Sequence, residues 1–483
     1  MTPMRALILL HRWLGVAFCL LFAMWFASGI VMHFVPYPAQ TEAERFAGLA
    51  PLDRAGVAHG PAEAVRASRI AAAMRVRLLQ RTDGPIYVVS GGSTTKALRA
   101  ADLADAAIVS RHLALAIATD YGRRRGLAVS NAQVVALARH DQWTFPTAYD
   151  AERPLYRIAL NDGAHTELYV SSATGEVVLQ TNGRQRLWNY LGSIPHWIYP
   201  TALRSRPAAW GRLVWWLSLL ALIGATAGAA VGVARIEIKR WRPRSPYRGW
   251  QAWHHWLGLC CLLFVWSWIF SGWLSMDDGL LFSTGRATRA ETAAIAGAPD
   301  WSALSHDELR NVSEGAREVE WFALGGQIYR RQRYGPNRQS LARAGSRTAR
   351  AADERSTLEP AELNAVASQL GKACRPAIAI AGGDDYAAAS GRSDRRVFRL
   401  ICGGDWFDID ASNGALFQKL DSSRRVYRWL YEALHTFDVP ALNSRPALRT
   451  TLIVGLCGCG FVFSLTGVVI GWRRLRSCLQ SSE

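Results

Sequence analysis

Four stretches of the chain are apolar on every face, and the two long segments that separate them alternate between apolar and polar positions in short runs. The apolar stretches cover about 6–35, 213–234, 256–276 and 450–472. Each holds roughly 20 residues, which as a helix spans the ~30 Å of a hydrocarbon core. A cleaved signal peptide would have a shorter apolar core and a small-residue cleavage site, so the first stretch reads as a membrane helix like the rest.

The long segments, 36–209 and 277–448, read as α+β. Strands are expected at 155–160, 166–172 and 176–181 around a Thr-Gly turn, and again at 396–403, 405–411 and 414–420 around Asn413-Gly414. An Arg-rich amphipathic helix follows each set, at 184–195 and 423–434, and helices are also expected at 61–79 and 360–370. The Arg- and Ser-rich stretch 335–356 is expected to be a loop. The fold class is therefore an α-helical membrane protein, a four-helix transmembrane bundle carrying two α+β domains.

Composition changes the picture only through charge. The chain has 483 residues and a formal net charge of +18, with mean hydropathy +0.02. In a soluble protein this would point to nucleic acid; here it points to basic loops at a membrane. Arg235, Lys239, Arg240, Arg242, Arg244 and Arg248 face a single Glu237 between the second and third spans, Arg473, Arg474 and Arg476 follow the fourth, and Arg5 precedes the first. The positive-inside rule puts these and both termini in the cytoplasm and the long segments outside. The expected boundaries are 1–35, 36–209, 210–234, 235–252, 253–276, 277–448, 449–472 and 473–483. No nucleic-acid partner is needed.

The sequence also repeats itself. His11-Arg-Trp-Leu-Gly15 matches His254-His-Trp-Leu-Gly258, and Ser28-Gly29 falls on Ser271-Gly272 at the same offset of 243. An offset of 239 pairs Gly175 with Gly414, His196 with His435, Arg206-Pro207 with Arg445-Pro446, and Gly228 and Gly232 with Gly467 and Gly471. This predicts a tandem duplication of a helix–domain–helix unit, its copies related by a pseudo-twofold along the membrane normal. The Gly-x-x-x-Gly pairs read as sites of close helix packing.

The candidate chemistry lies in histidines at membrane depth, where ionisable groups are costly. His11 and His254 form an equivalent pair near the cytoplasmic face, His196 and His435 another near the outer face. Pairs placed across a twofold suit ligation of two b-type haems, each iron held by one imidazole from each half. His33 is an alternative outer ligand, although its counterpart is Met276; His255 is an alternative inner ligand, although its counterpart Arg12 fits a propionate or lipid phosphate better. Arg206 and Arg445, ten residues after their histidines, could meet haem propionates or phospholipid. Against this stands the plainer reading that interfacial histidines bind headgroups or cap helices. His59, His112, His140, His165 and His306 have no repeat partner and read as surface residues. Cys374 and Cys402 could form a disulfide outside the membrane, and without a C-x-x-C-H motif covalent haem is excluded.

The two H-R/H-W-L-G openings, the segments YVSSATGEVV (169–178) and FDIDASNGAL (407–416), and the ending LTGVVIGWRR (465–474) together resemble the PepSY-associated transmembrane family. The likeness is weakest over 36–130 and 280–350. It implies a four-helix core in a bacterial inner membrane with periplasmic PepSY-like domains. Some members resemble dihaem ferric-siderophore reductases, which implies electron transfer outward to a ferric chelate, from a donor the sequence does not identify. Runs such as Arg123–Arg125 and Arg330-Arg331 would suit an anionic ferric complex or simply be solvated. The alternatives are a haem-free module whose PepSY-like domains bind a peptide, protease or envelope partner, and a transporter built on the repeat. A transporter would want broken helices or charge at mid-depth, which these spans lack.

Overall fold

The computed structural model describes residues 2–239, 241–345, 355–380, 383–386 and 396–480. Its four long helices are α1 (Pro3–Phe34), α2 (Pro207–Ala234), α3 (Trp250–Leu274) and α4 (Pro446–Gln480), each long and apolar enough to cross a bilayer. Pro3 and Pro207 sit in the first turn of their helices, where a missing N–H costs nothing. The helices pack as a closed ring in the order α1, α4, α3, α2, so α1 faces α3 across the axis and α2 faces α4. Phe18, Phe26, Cys261, Val265, Trp268 and Cys457 fill the middle of the ring. Gly460 admits the Phe26 ring, which a Cβ there would meet at 2.7 Å.

A short hairpin, β8 (Glu237–Lys239) with β9 (Arg242–Arg244), joins α2 to α3, and outside the bundle the described residues build three larger sheets. One comprises β4 (Gln133–Ala138), β5 (Leu155–Ala159), β6 (Glu167–Ser171) and β7 (Val177–Thr181) in sequence order. A second has the same order in β13 (Ile378–Ala379), β14 (Val397–Cys402), β15 (Asp405–Asp410) and β16 (Leu416–Leu420). The expectation drew one domain per long segment; the third sheet joins the segments. It has the order β12-β11-β10-β1-β2-β3, where β1 is Arg75–Arg81, β2 Gly84–Gly91, β3 Thr94–Arg99, β10 Glu318–Leu324, β11 Gln327–Arg333 and β12 Gln339–Arg343. The antiparallel β1–β10 pair opposes Val76 to Trp321 and Leu78 to Val319, all four fully buried. A one-residue slip would turn that apolar set to the wrong face.

The other face of this shared sheet carries a buried ionic layer. The Glu318 carboxylate accepts from Arg45 at 2.5 Å, Arg77 at 3.0 Å and Arg333 at 3.3 Å, and Glu320 accepts from Arg75 and Arg331. The hairpin turns of the two smaller sheets close over it. Arg77 also pairs with Glu176 of the first turn, and Arg75 donates to the Asn413 carbonyl of the second at 3.2 Å. The glycines of these turns have φ of +75° (Gly175) and +65° (Gly414), and a Cβ would lie 2.8 Å from Arg81 Cδ and 2.7 Å from the Phe322 ring. Both positions thus need glycine for backbone and for space.

Three sequence expectations change. The helix expected at 61–79 stops at Ser68 on a left-handed Arg69, because RVRLLQR alternates as a strand and continues as β1. Within 335–356, residues 339–343 form the edge strand β12 on β11, while 346–354 lie outside the described residues. Arg330 and Arg331 are not surface cations: they are 3% and 8% exposed and pair with Glu308 and Glu320. Cys374 and Cys402 form the disulfide.

Burial alone would push the Glu318 carboxyl up, but Arg45, Arg77 and Arg333 outweigh it and hold it well below the usual carboxylate range. Because the folded value is depressed, the contribution is complete above the unfolded glutamate range and fades as pH falls through the folded value. Glu318→Gln leaves three arginines around a neutral amide, and breaking such a set costs about 3–5 kcal/mol. The thermal midpoint in detergent is expected to drop clearly at pH 7 and to differ less from wild type as pH is lowered. Equal midpoints at pH 7 would contradict this account of the layer.

Candidate functional site

The four repeat-matched histidines come together as two pairs. His11 on α1 and His254 on α3 meet across the ring, with ring centroids 6.2 Å apart and planes tilted by 32°. At the other end of the bundle His196 and His435 meet at 6.3 Å and 64°. Each of these arrives on the approach to α2 or α4. The helix Gly183–Leu191 breaks at Gly192, and a short turn, Ser193–His196, delivers the first ring. On the other side the helix continues through a π-helical stretch, Arg428–Ala433, into Leu434–Thr436, which carries His435.

Hydrogen bonding sets the tautomer of every ring. His11 Nδ1 lies 3.1 Å from the Gly224 carbonyl, which can only accept. His254 Nδ1 lies 2.8 Å from Thr466 Oγ1, a hydroxyl already donating to the Phe463 carbonyl at 2.6 Å. His196 Nδ1 has the Trp25 carbonyl at 3.1 Å and Ser28 Oγ at 3.0 Å, and that hydroxyl donates to Met24 at 2.6 Å. His435 Nδ1 lies 3.1 Å from Ser271 Oγ, which donates to the Trp268 carbonyl at 3.2 Å. The proton therefore sits on Nδ1 in all four, leaving Nε2 with its lone pair. Every acceptor belongs to the same half of the chain as its histidine, and every facing ring to the other half.

A glycine lies beside each ring, with too little space for a side chain at Gly228, a tight fit at Gly272 and ordinary contact at Gly29 and Gly467. A Cβ would lie 3.5 Å from His196 at Gly29, 3.3 Å from His435 at Gly272, 3.6 Å from His254 at Gly467 and only 2.4 Å from His11 at Gly228. Trp25 and Trp268, themselves 243 apart, fix the turns below by donating their indole N–H to the carbonyls of His196 and Leu434. All four histidines are half-buried.

The description PepSY-associated TM region matches residues 8–474, nearly the whole chain. The chain belongs to the PepSY-associated TM family. A comparison with curated proteins returns no match.

In this PepSY-associated TM protein the two alternative ligands stand apart from the pairs. His33 bonds Thr450 Oγ1 through Nε2 at 2.9 Å and packs on Phe34. His255 is 7% exposed and uses both nitrogens, Nδ1 on Ser245 Oγ and Nε2 on the Gly232 carbonyl, each at 2.8 Å. With both nitrogens committed, it ties the α2–α3 connection at Ser245 to the end of α2 at Gly232. Arg206 and Arg445 lie exposed at the entries to α2 and α4, with no side-chain partner among the described residues. The serines and glycines of the outer pair stood in the repeat itself, as Ser28-Gly29 and Ser271-Gly272; only the geometry gives them a task. Gly228, read as a packing glycine, is also the seat of His11, while Gly467 packs against Cys19 of α1 and the His254 ring.

Within each pair no Nε2 has a hydrogen-bond partner among the described residues, which leaves both free to bind an electrophile. Imidazole–metal bonds of about 2 Å would put the centroids of two trans rings about 6 Å apart, the separation seen at both pairs. Gly228→Ala drives a methyl into His11, and overpacking of this kind costs about 1–3 kcal/mol. Gly211→Ala, with nothing within 4 Å, is expected to be neutral or mildly stabilising. Thermal midpoints of the two variants check this, and equal midpoints would contradict the seat assigned to Gly228.

Proposed function

We propose that this protein carries electrons across the membrane through two b-type haems, one held by His11 and His254 and one by His196 and His435, and reduces a ferric chelate on the side of the extramembrane sheets. The observation that carries the reading is the double set of facing imidazoles, each with Nδ1 committed and Nε2 free. A bare metal ion would have two protein ligands at each pair, since no group of three or more His, Cys, Asp or Glu forms a metal site among the described residues; a macrocycle brings four nitrogens of its own. The bound haems would supply one-electron Fe(III)/Fe(II) chemistry.

The chain's residues do the remaining work. On α1 residues 11 and 28 are seventeen apart, as are 254 and 271 on α3, so the two levels lie about 26 Å apart along the helices. Phe18, Phe26, Val265 and Trp268 fill the bundle between them and exclude water. Arg5, Arg473, Arg474 and Arg476 stand at the His11 end, which we place in the cytoplasm of a bacterial inner membrane. The disulfide between Cys374 and Cys402 lies at the other end and suits an oxidising periplasm. The matched outer serines and the matched glycines support an origin by duplication. A chelate losing one positive charge at its iron loses attraction to anionic oxygen ligands, so reduction would release the metal.

The reduced-minus-oxidised spectrum of protein purified after expression with adequate haem is expected to show b-type Soret and α bands. His11→Ala or His254→Ala should remove one haem, His196→Ala or His435→Ala the other, while His33→Ala and His255→Ala keep both. A wild-type spectrum without these bands would overturn the reading in favour of a haem-free module that binds a peptide, protease or envelope partner.

A further inference from the structure

Ser28 and Ser271 occupy the same place on α1 and α3, are buried at 2% and 0% exposure, and touch Nδ1 of the two outer imidazoles. A serine in a membrane helix ordinarily satisfies itself by donating to the carbonyl one turn back. Both do so, and that bond is what makes each hydroxyl an acceptor toward the histidine. The inner pair has no serine: its acceptors are the Gly224 carbonyl and Thr466. The two levels therefore orient their rings with different groups, while at the outer level the two halves use the same one.

We infer that Ser28 and Ser271 are positioning residues that set the reduction potential of the outer site separately from the inner one, an inference that rests on the dihaem reading. An acceptor on Nδ1–H strengthens Nε2 as a ligand. A stronger imidazole donor favours the ferric state and lowers the potential. Removing the hydroxyls weakens that push; the Trp25 carbonyl still accepts from His196 and the Trp268 carbonyl from His435, so the rings stay in place while their basicity falls.

The test is a redox titration followed by absorbance on purified full-length protein, wild type against the double variant Ser28→Ala/Ser271→Ala. The outer site is assigned by repeating both in a His254→Ala background that lacks the inner haem. The outer midpoint is expected to rise by the equivalent of a tenfold change in the Fe(III)/Fe(II) ratio, about 59 mV for one electron, with the inner midpoint unchanged. Threonine at both positions should restore the wild-type value. If the double variant loses the outer haem, the single variants Ser28→Ala and Ser271→Ala are titrated instead, each with a smaller rise in the same direction. An unchanged outer midpoint, or equal movement of both sites, would overturn the assignment and leave the dihaem reading standing. A wild-type protein without haem absorption would remove that reading and the serine assignment with it.

Discussion

Each paired imidazole donates its Nδ1 proton to a helix of its own half of the chain, and the geometry of the bundle depends on that bond. It fixes the ring's plane and tautomer and leaves Nε2 uncommitted beside the ring arriving from the other half. Neither half builds a site alone. A histidine that rotated to bond through Nε2, as His33 does with Thr450, or that spent both nitrogens, as His255 does, would have nothing to share across the axis. Gly228 acts in the same direction, because a methyl there would push the His11 ring off its acceptor.

A second constraint holds the extramembrane parts in place. The β1–β10 pairing and the ionic layer around Glu318 and Glu320 tie the two long segments to one sheet, and the turns at Gly175 and Gly414 both rest on it. Those turns begin the last strand of each small sheet, and the helices after these strands lead to His196 and His435. The sheet thus links the approach of one outer imidazole to the approach of the other through a buried set of contacts, the kind of supporting shell that holds side chains in one placement.

Much of this was legible in the sequence. The four spans announce themselves by length and apolarity, and the strands at 155–181 and 397–420 by their alternation and turn glycines. The offsets of 243 and 239 singled out His11, His254, His196 and His435 from eleven histidines. The remainder escaped for physical reasons. Pairing of residues 75–81 with 318–324 spans more than 200 positions and leaves no local mark. The Gly224 and Trp25 acceptors are main-chain carbonyls, which any residue supplies. His255 sits beside His254 in the same motif, and only the positions of Ser245 and Gly232 separate clamp from candidate ligand. Arg330 and Arg331 read as a surface run until Glu308 and Glu320 fold against them.

The central claim is that two facing imidazoles, one from each half, hold each of two irons. Low-temperature electron paramagnetic resonance of the fully oxidised wild-type protein addresses it directly, because two trans imidazoles produce six-coordinate, low-spin ferric haem. The account predicts low-spin signals from two distinct sites that together integrate to two irons per chain, with no substantial high-spin component. A dominant high-spin signal, a single low-spin species at one iron per chain, or no ferric haem signal would contradict it.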